Sequence, residues 1–201
     1  VAVGKDLQGV RRLGNLDIEG LSLLGTVVID WLGERWVVQT VLPGLFRQVA
    51  ADAAASQSDG STASHVAYGG VEGPDTIHTD PAFHKVLSVA GKSLHVAEHK
   101  MRDAQGMEHE LCLSVDCKGL RGTDGRMYLL DVSRHTPMDV TWLDHDMEGS
   151  VLEGTDTAAY PHRLPLLRPE LIDAYWDMHL HEFARDKLAR QRASNEASSP
   201  S

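Results

Sequence analysis

Residues 111–132 read Leu-Cys-Leu-Ser-Val-Asp-Cys-Lys-Gly-Leu-Arg-Gly-Thr-Asp-Gly-Arg-Met-Tyr-Leu-Leu-Asp-Val, and this stretch decides the fold. Apolar residues flank Thr123-Asp124-Gly125 on both sides, and Asp-Gly supplies the positive-φ positions of a tight turn, so the local reading is two antiparallel strands. Upstream, residues 94–101 and 107–117 form two more strand candidates, joined by a turn at Arg102-Asp103-Ala104-Gln105-Gly106. The centre of the chain is therefore expected to be antiparallel sheet.

Working outward, Asp80-Pro81 opens a helix, with Asp as N-cap and Pro at the first helical position. Phe83, Val86, Leu87 and Ala90 form its apolar stripe, and Gly91 is read as its end. Residues 65–69 form a short strand. The β-branched and aromatic run over 21–42 is read as a hairpin centred on Leu32-Gly33-Glu34, with Trp31 and Trp36 in core or cross-strand packing. Beyond the central sheet, Arg168-Pro169-Glu170 starts the longest helix, carrying Leu171, Ile172, Tyr175, Met178, Phe183 and Leu188 at helical spacing. Residues 50–64 and 144–160 read as mobile surface loops, because neither holds enough large apolar side chains to offset the entropy of ordering. The expectation is a single α+β domain over 1–192, mainly antiparallel with hairpins, one mid-chain helix and a long C-terminal helix, followed by a disordered tail over 193–201.

Composition narrows the function classes. The 201 residues are 42% hydrophobic, enough for one substantial core. A net charge of −10 argues against tight non-specific nucleic-acid binding, which needs clustered positive charge. No apolar run approaches the ~18 residues of a membrane span. The chain opens at Val1 rather than Met, as a piece of something larger would. Cys112 and Cys117 lie five apart in one expected strand, which sends their side chains to opposite faces, so two free thiols are expected.

Several patterns could carry chemistry. His95-Val96-Ala97-Glu98-His99 has the His-x-x-Glu-His spacing of a zinc-protease helix. Read as extended chain, the same segment sets its two imidazoles about 13 Å apart, too far to share an ion. His179 and His181 lie about 200° apart on a helix and cannot clamp one ion either. Asp144-His145-Asp146 reads as part of the acidic loop. No metal site, cofactor or catalytic residue is assigned.

Asp116 and Asp131, bracketing the Asp124-Gly125 hairpin, loosely imitate the carboxylates of a kinase-like phosphotransferase, with Asp131 on Mg²⁺ and Asp116 orienting a hydroxyl. The Gly-rich lid and the His-Arg-Asp loop are missing, and Lys118 with Asp131 can equally form a cross-hairpin salt bridge. Lys118, Arg121, Arg126 and Arg134, with Tyr128 among them, could instead place phosphates and stack a base, or contact a protein partner. A third reading is a pure protein-interaction scaffold.

The words around the hairpin resemble the Clu domain of the clustered mitochondria protein family. They are Cys112, Cys117-Lys118-Gly119, Gly122 to Arg126, Tyr128 to Asp131, Arg134, and Pro137 to Asp139. Asp17-Ile18-Glu19-Gly20-Leu21, Leu24-Gly25-Thr26-Val27-Val28-Ile29-Asp30, Leu42-Pro43-Gly44-Leu45, His162-Arg163-Leu164 and the run from Leu167 to Tyr175 are similar to further words of that domain, in order. Together they match its C-terminal part. The departures are the insertion at 50–64, the lengthened acidic loop before Tyr160, and Val71-Glu72-Gly73. The resemblance implies a non-catalytic module of a large cytoplasmic protein that binds mRNA, maintains mitochondrial distribution, and meets the ribosome or translation initiation factor components. It implies no metal site at His95 to His99, no membrane insertion and no DNA partner.

Overall fold

A computed structural model describes residues 2–44, 66–71, 75–139 and 166–197. The loops expected at 50–64 and 144–160, the Asp144-His145-Asp146 motif and the end of the tail from 198 lie outside the described residues. The chain divides into two units, Val1–Pro137 and Met138–Ser201.

The first unit runs through helix α1 (Ala2–Asn15) and strands β1 (Leu21–Leu23), β2 (Thr26–Trp31), β3 (Glu34–Gln39), β4 (Val66–Gly70) and β5 (Ile77–Thr79). Helix α2 (Pro81–Ser93) follows, then strands β6 (His99–Arg102), β7 (Glu108–Leu111), β8 (Lys118–Arg121) and β9 (Met127–Leu130). A 3-10 turn over Val132–Arg134 comes next. The second unit holds helix α3 (Pro169–Ala197) and an isolated bridge between Met138 and Leu166. The architecture is α+β and mostly antiparallel, with the mid-chain helix and the long C-terminal helix where the sequence pattern puts them. Helix α3 continues through residues 193–197, a stretch read from sequence as tail.

The deciding stretch is a hairpin: Lys118 faces Leu130 and Leu120 faces Tyr128 across β8 and β9. Its loop is longer than a two-residue turn. Gly125 alone takes the left-handed conformation, at φ 79°, while its N–H donates to the Gly122 carbonyl and the Gly122 N–H to the Arg126 carbonyl, both at 3.0 Å. The hairpin is the middle of a five-stranded sheet of order β1-β9-β8-β4-β5. Strand β1 joins it in parallel, Leu21 beside Met127 and Leu23 beside Leu129. The run over 21–42 is therefore not one hairpin. Leu24-Gly25 separates β1 from the β2–β3 hairpin, which forms its own two-stranded sheet around Leu32-Gly33, both at positive φ as a type I′ turn requires.

Strand alternation gives the large sheet two apolar faces. On one, Leu120 and Tyr128 pack with Leu42. On the other, Gly119 leaves room for the Phe83 ring: a Cβ there would sit 2.7 Å from Phe83 and 2.9 Å from Tyr68. Phe83 and Tyr68 are fully buried, with ring centroids 6.4 Å apart. Helix α1, which the sequence reading missed, lies against the 3-10 turn, where a Cβ on Gly9 would run into the Val132 carbonyl.

Three local expectations are corrected. Gly91 does not end α2; it is a buried residue inside the helix, and its Cβ-less face lies against the Cys112 carbonyl. Helix α2 closes with a Schellman motif, Val96 N–H to Gly91 O at 2.8 Å and His95 N–H to Lys92 O at 3.2 Å, with His95 at φ 58°. The strand expected over 94–101 therefore begins only at His99. Residues 107–117 are not one strand, because bends and a turn occupy 112–117 and pass the chain from the β6–β7 sheet to the large one. Cys112 and Cys117 are both free and buried.

Trp31 and Trp36 are not core residues: they are 66% and 60% exposed. Trp36 does have a cross-strand partner, Ile29, and the two share a solvent-facing apolar surface with Val27 and Val38.

Phe83→Ala should cost about 3–5 kcal/mol, and Gly119→Val about 1–3 kcal/mol or more through overpacking, whereas Val27→Thr on the exposed hairpin face should stay within about 0.5 kcal/mol. Urea unfolding followed by circular dichroism measures all three.

Candidate functional site

The residues singled out on and around the hairpin do not form one patch. Lys118 and Arg121 are three apart on a strand, so their side chains leave opposite faces of the sheet. Each of the four cations has its own carboxylate. Lys118 Nζ is 3.7 Å from Asp131, Arg126 Nε 3.8 Å from Asp124, and Arg134 3.8 Å from Asp116. The Arg121 guanidinium donates to both Asp80 oxygens, at 3.1 and 3.2 Å, and lies 5.4 Å from the centre of the Phe83 ring. Tyr128 has no ring face to offer a base. It is 8% exposed in the Leu42 cluster, and its hydroxyl donates to Asp124 at 2.8 Å.

The pairing of Lys118 with Asp131 is the cross-hairpin salt bridge that was the structural alternative to a phosphotransferase carboxylate. Asp131 sits at φ 56° ahead of the 3-10 turn. Asp116 is mostly buried; one oxygen faces Arg134 and the other, Oδ2, is buried without a hydrogen-bond partner. Neither carboxylate belongs to a grouping of three metal-competent side chains among the described residues.

Other polar contacts are built into the turns. His109 Nε2 lies 2.8 Å from Asp103 Oδ2 across the β6–β7 hairpin, and Asp103 also accepts from the Gln105 and Met107 N–H groups. The His109 hydrogen bond leads the interactions that hold the Asp103 carboxyl below its usual range. Asp80 is the N-cap of α2, accepting from Ala82 N–H at 2.8 Å and Phe83 N–H at 3.1 Å. Burial works against its ionisation, but the Phe83, Arg121 and Ala82 hydrogen bonds outweigh it and hold its pKa below the ordinary carboxylate value.

The five-residue motif at 95–99 is neither a helix nor a strand. His95 is the left-handed residue ending α2, and His99 begins β6 with Nδ1 3.2 Å from the Ala97 carbonyl. Glu98 instead joins two residues the sequence reading did not connect. Its Oε2 is 3.8 Å from His84 Nε2, and the Cys112 sulfur is 3.6 and 3.7 Å from the two ring nitrogens of His84. The donor atoms of the three residues lie within 4.8 Å of one another. Burial pushes the Cys112 thiol pKa up. Cys117 is pushed up as well, by complete burial and by Asp131 and Asp116.

The family model described as Clustered mitochondria (CLU) matches residues 1–142, which takes in the whole five-stranded sheet and both smaller hairpins. The chain belongs to the clustered mitochondria family. Similar relatives named clustered mitochondria protein homolog include those of Mycosarcoma maydis, 44% identical over 98% of this chain, and Sclerotinia sclerotiorum, 41% identical over 99%. A homolog from Aspergillus niger is 43% identical over 96% of the chain. The chain spans only 16%, 15% and 14% of these relatives' lengths. No solved structure matches. Among the described residues, no helix of this family member is long and apolar enough to cross a membrane.

Asp80→Ala removes both the cap and the Arg121 contact, and should cost about 0.5–2 kcal/mol at neutral pH. Because the folded-state pKa of Asp80 is depressed, its contribution is complete above the ordinary aspartate value of 3.8 and is lost as pH falls through the lower folded value. Parallel urea titrations of the two proteins at several pH values should show their difference shrinking below that point.

Proposed function

We propose that this chain is a non-catalytic module of a large cytoplasmic protein of the clustered mitochondria type, whose work is mitochondrial distribution in association with mRNA and the translation initiation machinery. One observation carries the non-catalytic part of this reading. Each of the four hairpin cations, Lys118, Arg121, Arg126 and Arg134, faces a carboxylate of its own, and Lys118 and Arg121 lie on opposite faces of the sheet. Cations already paired release little on meeting a phosphate backbone, and the net charge of −10 opposes the encounter. This segment therefore contributes a folded body and protein contacts, and mRNA association belongs to other parts of the long polypeptide.

Thermal denaturation of the 201-residue chain with Mg-ATP should show no stabilisation, since a ligand raises the midpoint only if it binds the native state. In the complete protein, Arg126→Glu with Arg134→Glu should leave crosslinking to RNA unchanged. Stabilisation by Mg-ATP that Asp131→Asn abolishes would overturn the non-catalytic reading in favour of a nucleotide site at Asp131, and loss of crosslinking in the double variant would return RNA binding to this hairpin.

A further inference from the structure

We infer that His84, Glu98 and Cys112 form a binding site for a divalent ion of the zinc class, with solvent in the fourth position. The three residues come from separate parts of the chain: the first turn of α2, the approach to β6, and the residue after β7. Their donors are one nitrogen, one carboxylate oxygen and one sulfur. That mixture selects zinc and its neighbours over magnesium or calcium, which take oxygen alone.

The spacing suits an ion. Tetrahedral Zn–S and Zn–N or Zn–O bonds of about 2.3 and 2.0 Å place adjacent ligand atoms roughly 3.3–3.6 Å apart. The Cys112 Sγ lies 3.6 Å from His84 Nδ1 and 3.7 Å from Nε2, His84 Nε2 is 3.8 Å from Glu98 Oε2, and all three donors lie within 4.8 Å of one another, so the site closes when the His84 ring turns to aim Nε2 between the sulfur and the carboxylate. Coordination through Nε2 places the imidazole proton on Nδ1.

Two of the ligands are held in place by neighbours. The Cys112 N–H donates to the buried Tyr68 hydroxyl at 2.9 Å, and the Cys112 carbonyl lies against Gly91. The Tyr68 ring also stands 6.2 Å from the His84 ring. Access is open on one side, where the His84 and Glu98 side chains are 28% and 38% exposed while Cys112 forms the buried floor.

The test uses the 201-residue chain with Co²⁺ and Zn²⁺ as probes. Co²⁺ should produce a thiolate-to-cobalt charge-transfer band in the near ultraviolet, which Zn²⁺ abolishes by displacement, and Zn²⁺ should raise the thermal midpoint by several degrees. Cys112→Ser should remove the band. Because a buried substitution can disturb folding, Glu98→Gln and His84→Gln at half-exposed positions provide the second measurement, each weakening Co²⁺ affinity by about ten-fold or more. Absence of a thiolate band in the parent chain would overturn the assignment. So would a band that survives Cys112→Ser, or affinities unchanged in both Gln variants.

Discussion

The contact between the Phe83 ring and the Cβ-less face of Gly119 sets where everything else lies. It seats α2 on the middle strand of the large sheet at a separation that a side chain at 119 would not permit. Three residues before Phe83, Asp80 is thereby brought both to its capping position and within reach of Arg121. One residue after it, His84 is delivered to Cys112 on the far side of Tyr68. One close approach fixes the helix cap, an interelement ion pair and the cluster of metal-competent donors.

Charge is organised locally rather than as a field. The carboxylates facing the hairpin cations come from the α2 cap, the hairpin loop, the entry to the 3-10 turn and the segment before β8. Exposed pairs of this kind add little stability one by one, because solvent screens them. They do fix side-chain positions on both faces of the sheet and, among the described residues of the hairpin, leave each cation beside a carboxylate.

Much of this was legible in local sequence. Asp80-Pro81 announces the N-cap of α2, Leu32-Gly33 the β2–β3 turn, and Asp124-Gly125 the β8–β9 loop, because each depends on a few adjacent residues with particular backbone or capping needs. Helix α1 escaped because Gly4, Gly9 and Gly14 lower helix propensity, and the reason for Gly9 is its approach to Val132, far along the chain. The parallel pairing of β1 with β9 and the meeting of His84 with Cys112 have no local signature at all. The His-x-x-Glu-His spacing misdirects for the same reason: it describes neighbours on a helix, whereas the chain reverses at His95 and only Glu98 reaches other donors. Tyr128 looked like a stacking platform because sequence does not reveal that Leu42 covers it.

The parallel pairing of β1 with β9 also has a cost in time. Roughly a hundred residues separate Leu23 from Met127, and a ribosome adding about 5–20 residues per second takes about 5–20 s to cover them. Throughout that interval the first strand has no edge to join, and the β2–β3 hairpin, already free to close on its own turn, displays Ile29, Trp31 and Trp36 to the surroundings. The large sheet therefore gains its parallel first strand only after the last strand has been made, so its assembly completes late in the synthesis of this segment.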